Sequence, residues 1–153
     1  MCDVTRWLTD SEQRTWRAYL TASRVLFDQL DRELQRDAGM PHAYYEILVR
    51  LSEAPGRALR MGELADALLV SRSRVSHAVA RLVEAGWLRR DEHPGDRRGA
   101  TAALTDAGYA HLAAAAPGHV EGVRTHLFDV LTGEQQEQLR TISEAVLAHL
   151  TRA

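Results

Sequence analysis

Residues 71–105 read SRSRVSHAVARLVEAGWLRRDEHPGDRRGATAALT, and this stretch decides the fold. Ser71 is a good helix N-cap, because its hydroxyl can accept a hydrogen bond from a free backbone N–H of the first turn. Val75, Ala78, Val79, Leu82 and Val83 recur at i, i+3, i+4, i+7 and i+8, which predicts an amphipathic helix over 72–85. Gly86 fits the position just past its end. Residues 87–92 and 100–104 are short strand candidates, and HPGDRRG joins them into a hairpin.

Working outward, GELADALL predicts a short helix over 62–69. Short helix, turn, helix and hairpin together make a helix-turn-helix with a wing. A longer helix is predicted over 10–37, with Trp16, Tyr19, Leu20, Leu26, Phe27, Leu30 and Leu34 at helical spacing, stopped by Gly39. Pro41 opens another through Glu53, and EAPGRAL reads as a turn. Thr105 caps a helix over 106–131, in which Pro117-Gly118 predicts a kink or break. Thr132-Gly133-Glu134 opens a terminal helix. The fold class expected is mainly α with a small antiparallel β-hairpin (α+β).

The outward face of helix 72–85 carries Arg72, Ser73, Arg74, Ser76, His77 and Arg81. Short hydroxyls and arginines in the first turns are what a recognition helix needs in a major groove, where arginine can pair with guanine. The plainer reading is a solvated polar face. The hairpin tip favours the first. Arg97 and Arg98 there stand far from any core, and arginine at such a tip fits the negative potential of a minor groove. Asp96 beside them can orient a guanidinium through a charge-assisted hydrogen bond. Arg89 and Arg90 lead into the wing and could meet phosphates.

The charge distribution agrees. The 153 residues carry net charge −2, with 19 arginines and no lysine, which we read as coding bias rather than a nucleic-acid signature. Residues 57–98 hold nine arginines against six acids, whereas both flanks are acidic. No apolar run approaches the roughly 20 residues that span a bilayer. The N-terminal MCDVTRWLTDSEQR lacks a signal segment, so a cytoplasmic location and no membrane partner are expected. Lone Cys2 cannot form an internal disulfide, and nothing around it lowers its pKa as redox sensing requires. Without H-E-x-x-H or a Cys/His cluster, no metal or cofactor is expected. G-x-S-x-G, a P-loop and a Cys/His nucleophile pair are also missing, so no enzyme is expected.

The run from Leu59 to Gly108 resembles the winged helix-turn-helix of the MarR family of bacterial transcription regulators. The resemblance rests on ELA, SRSRVS, LVEAGWLRR, GDRRG and LT-x-AG in that order. It implies a single protomer in which 1–40 and 106–153 are dimerisation helices and 41–105 bind double-stranded DNA. The homodimer would read a pseudo-palindromic operator, more often as a repressor than an activator. By this resemblance Ser73, Arg74, Ser76, His77 and Arg81 are recognition-helix positions. Asp96 and Arg98 form the minor-groove wing pair, and Arg72, Arg90 and Arg97 are phosphate contacts. Trp7, Leu8, Trp16, Leu139, Ile142, Val146 and Leu150 are expected in the dimer interface. A small, often aromatic, effector is expected against Trp16, Tyr19, His42, Tyr45 and Leu48. The sequence departs from the pattern at Leu69 and Val70, where many such turns have glycine, and at Met61, where Ser or Thr would cap better. The alternative is a winged-helix module that binds a protein partner and has lost DNA affinity.

Overall fold

A computed structural model describes residues 5–92, 95 and 99–151. By its internal contacts the chain forms two units: residues 31–122, and residues 1–30 with 123–153.

The 31–122 unit holds the hydrophobic core. It contains the end of α1 (Asp10–Ala38), then α2 (His42–Glu53), β1 (Ala58–Arg60), α3 (Met61–Leu68), α4 (Arg72–Glu84), β2 (Leu88–Asp91), β3 (Thr101–Leu104) and most of α5 (Asp106–Val123). The stripe foreseen on the 72–85 helix is buried at Val75, Val79 and Leu82, which meet Leu48, Leu51, Leu64, Leu88, Ala102 and Leu104. Burying each of the fully enclosed leucines stabilises the unit by roughly 1.5–3 kcal/mol.

The hairpin is part of a three-stranded antiparallel sheet in the order β1-β3-β2, with Leu59 opposite Ala102 and Arg90 opposite Ala102 on its other side. The EAPGRAL segment is therefore a turn followed by a strand. Three residues, ALR, are too short to show the alternation that marks a strand. Gly56 takes φ +61° and Arg57 φ +55° in the turn before it.

Helix α3 ends in a Schellman arrangement. The Val70 N–H donates to the Ala65 carbonyl and the Leu69 N–H to that of Asp66, both at 3.2 Å. This places Leu69 at φ +54°, the position where glycine is usual. At its start, the Glu63 carboxylate accepts from the Arg60 N–H at 3.1 Å, so the cap comes from within the helix rather than from a preceding Ser or Thr.

Thr105 straps the end of the α4 region to the start of α5. Its N–H donates to the Trp87 carbonyl at 3.1 Å. Its hydroxyl lies 2.8 Å from the Gly86 carbonyl and 3.0 Å from that of Trp87, and accepts from the Gly108 N–H at 3.0 Å. A Cβ on Gly108 would stand 2.1 Å from the Trp87 carbonyl oxygen, so only glycine fits there. The His111 ring stacks on Trp87 at 3.9 Å between centroids, and its Nε2 lies 2.9 Å from the Ala38 carbonyl.

Helix α5 runs through Pro117 as one continuous helix, so of the kink or break expected there the break does not occur. The Ala113–Ala116 run has the highest helix propensity of any residue type, and Leu112 is anchored in the core, so the helix tolerates the lost bond. The irregularity comes later. Residues Arg124–Phe128 widen into a π turn, closed by the Asp129 N–H donating to the Arg124 carbonyl at 2.8 Å.

The other unit comprises the first part of α1, the π turn and α6 (Gly133–Leu150). Thr132 caps α6, accepting from the Gln135 N–H at 3.2 Å while the Gln135 side chain accepts from the Thr132 N–H at 2.9 Å. No α6 residue is buried. Trp7, Leu8, Trp16, Ile142, Val146 and Leu150 are exposed in the protomer and Leu139 is half-buried.

Two substitutions test these constraints by urea unfolding. Gly108→Ala should destabilise the protein by about 1–3 kcal/mol or more, since the Cβ meets backbone that cannot step aside. Leu69→Gly should stabilise it by up to about 1 kcal/mol. It relieves a left-handed cost of roughly 1–2 kcal/mol against the greater chain entropy of glycine, and Leu69 is 66% exposed, so little packing is lost.

Candidate nucleic-acid interface

The Ser71 hydroxyl caps α4 as foreseen, accepting from the Arg74 N–H at 3.3 Å. With Val75, Val79 and Leu82 inward, the helix turns Arg72, Ser73, Arg74, His77 and Arg81 to the outside, and Ser76 is half-buried. The Arg72 guanidinium lies against Gly62, close enough that a Cβ there would be 3.7 Å from it. Arg60, Arg72, Ser76 and Arg90 line one open concavity of about 630 Å³ with Gly62, Glu63 and Asp66. Three arginines from three elements thus converge beside the first turns of α4.

The wing strands carry a pattern that the sequence reading missed. Arg89 makes a bidentate pair with Asp91, at 2.7 and 2.9 Å, and this bond, with the charge beside it, raises the guanidinium above its ordinary pKa. Arg90 pairs with Glu92 at 2.7 Å and donates to the Ser76 hydroxyl at 3.4 Å. Arg81 pairs with Glu84 at 3.0 Å. The signal was available, because residues two apart on a strand share a face and residues three apart on a helix are neighbours. Arg72 and Arg74 have no carboxylate partner among the described residues. The wing-tip residues Asp96, Arg97 and Arg98 lie outside the described residues.

The expected ligand-lining residues are divided between the two units. Trp16 and Tyr19 are exposed in the unit of residues 1–30 and 123–153, whereas Leu48 is wholly enclosed in the core and has no surface to offer. His42 and Tyr45 do come together, with His119, which the sequence reading had not singled out for ligand contact. The Tyr45 and His119 rings are 4.4 Å apart and those of His42 and His119 5.3 Å. The His42 N–H donates to Asp31 at 2.8 Å, and Glu46 lies 3.9 Å from its Nδ1. The buried Nδ1 of His119 has no hydrogen-bond partner among the described residues. Burial pushes the His119 pKa down and the neighbouring His42 adds to this, while Glu33 opposes it. Burial also pushes the Tyr45 phenol up. Another cavity, of about 500 Å³, opens between α2 and α4, lined by Tyr44, Ile47, Leu68, Val70, Arg74 and His77.

A winged helix-turn-helix with this outward face can be compared with known proteins. A family model described as the MarR family matches residues 38–99. Sco3205 of Streptomyces coelicolor, a MarR family transcriptional regulator solved in complex with DNA, is 55% identical over 97% of this chain and 92% of its own, with a TM-score of 0.92. The chain belongs to the MarR family. AbsC, a MarR family transcriptional regulator of the same organism, is 42% identical over 97% of this chain and all of its own, with a TM-score of 0.90. The HTH-type transcriptional regulator PecS of Dickeya dadantii is 33% identical over 93 residues, and this chain spans about half of it, 55%. In this MarR-family chain the family-model match spans α2, β1, α3, α4 and β2 and stops before β3.

The buried histidine gives a pH prediction. The unfolded chain binds a proton at His119 more readily than the folded one does, so the stability is fully present above the unfolded histidine pKa of about 6.5 and falls as the pH drops below it. Urea midpoints between pH 5 and 8 should show this decline in the wild type and a shallower one in His119→Gln.

Proposed function

We propose that this chain is a sequence-specific, double-stranded-DNA-binding transcriptional regulator acting as a cytoplasmic homodimer on a pseudo-palindromic operator. It represses rather than activates, and it catalyses no reaction. The observation that carries the reading is the first turns of α4, where Ser73, Arg74 and His77 stand exposed and the guanidiniums of Arg72 and Arg74 have no carboxylate partner among the described residues. Small hydroxyls there allow close approach to base edges, and an unpaired arginine is free to bond guanine O6 and N7. Ser76, Arg81 and Arg90 complete the duplex-facing set, with Asp96, Arg97 and Arg98 assigned to the wing tip by the family resemblance.

The exposed apolar residues of α1 and α6 support self-association, since a symmetric pair is the commonest closed assembly and a palindrome mirrors it. Residues 1–40 and 106–153 then serve dimerisation and 41–105 serve DNA. Two α4 helices would lie about 34 Å apart, one turn of the duplex. A small, often aromatic, effector releases the operator by changing the separation or tilt of the two winged lobes.

Fluorescence anisotropy with DNA from upstream of the protein's own gene, over a salt series, tests the reading. Wild type should bind saturably and with salt sensitivity. Arg74→Ala should cost about 1–3 kcal/mol on the preferred sequence, as for a lost bidentate base contact. Arg72→Ala should instead lower the salt slope by about 0.9. An effector that binds tightly and leaves operator affinity unchanged would overturn the release mechanism. Sedimentation should find a dimer in the wild type and a monomer in Ile142→Glu/Val146→Glu, with weaker DNA binding in the monomer.

A further inference from the structure

We propose that Glu84 and Glu92 set the specificity of the DNA face, each by holding an arginine of that face, Arg81 and Arg90 in turn, back from non-specific phosphate. This rests on the DNA-binding reading above. The face is divided. Its arginines at the start of α4, Arg72 and Arg74, have no carboxylate partner among the described residues, while Arg81 and Arg90 each carry one, at 3.0 and 2.7 Å. Each acid sits two or three residues from its arginine on or beside the same element, so the two are within reach whenever the element forms. Glu92 accepts from Nε of Arg90, an edge of the planar fork that would clamp a phosphate.

The consequence follows from counterions. A free arginine that reaches a phosphate releases the cation condensed there, which drives binding to any sequence. An arginine already paired with a carboxylate must give up that pair to reach the phosphate, and it leaves a bare negative group that the phosphates repel. Both costs oppose the move, so random duplex gains little from Arg81 and Arg90. A correct site can still draw them in, because base-edge bonds and duplex shape contribute energy beyond the counterion term. The two acids act through the arginines they hold, as positioning residues. They lower the background without removing the donors.

The test compares wild type with the double variant Glu84→Gln/Glu92→Gln on a labelled mixed-sequence duplex of about 30 base pairs, over a salt series. Both positions are exposed, and Gln keeps the side-chain size. A second double variant, Glu134→Gln/Glu144→Gln, removes the same charge from α6. The first variant should bind mixed-sequence DNA more tightly by about five- to tenfold per released arginine at 0.1 M salt, and its salt slope should steepen by about 0.9 for each. The α6 variant should change neither by as much. An unchanged slope in the first variant, or an equal gain in both, overturns the proposal while wild-type binding keeps the DNA reading intact. No binding by wild type or variant at low salt overturns both.

Discussion

The close approach of Gly108 to the Trp87 carbonyl is the constraint on which the rest of this fold depends. The turn that leaves α4 and the start of α5 must pass within a distance that admits no side chain. Thr105 uses its one hydroxyl to satisfy carbonyls on one side and an N–H on the other. That strap ties together the two ends of the wing, since β2 begins at Leu88 and β3 ends at Leu104. The sheet is then packed on the same core that buries Val75, Val79 and Leu82. The inward face of α4 is fixed by the core, and the outward face follows by rotation around the helix. The polar groups that face outward need no interaction of their own to be displayed.

Much of this was legible because it depends on local chemistry. The Ser71 cap, the valine and leucine stripe, Gly86 at φ +79° and the Thr132 cap each report a backbone requirement through residue type. The features that escaped depend on distant partners. Strand β1 exists because β3 offers it an edge, and ALR carries no pattern of its own. Pro117 stays helical because the helix around it is anchored, which outweighs its local preference. His119 meets His42 and Tyr45 only after α5 folds back on α2, so no spacing in the sequence announces that cluster.

The site was partly legible in the same sense. Residue type and periodicity placed Arg72, Ser73, Arg74 and His77 on one face, and the structure has them there. They did not separate the arginines that stand alone from those tied to a carboxylate. Leu48 shows the reverse difficulty: helical spacing could not tell a cavity wall from a core position, and in the fold it is core.

The absence of lysine has a consequence of its own. Every cationic side chain of the α4–β2 surface that keeps its charge at all working pH values is a guanidinium. Enzymes that acetylate lysine amines, and so remove a positive charge, find no side-chain target on it. Its attraction for an anion can be altered by moving the arginines, or by adding negative charge beside them, but not by discharging them. A regulator with such a surface is governed by geometry.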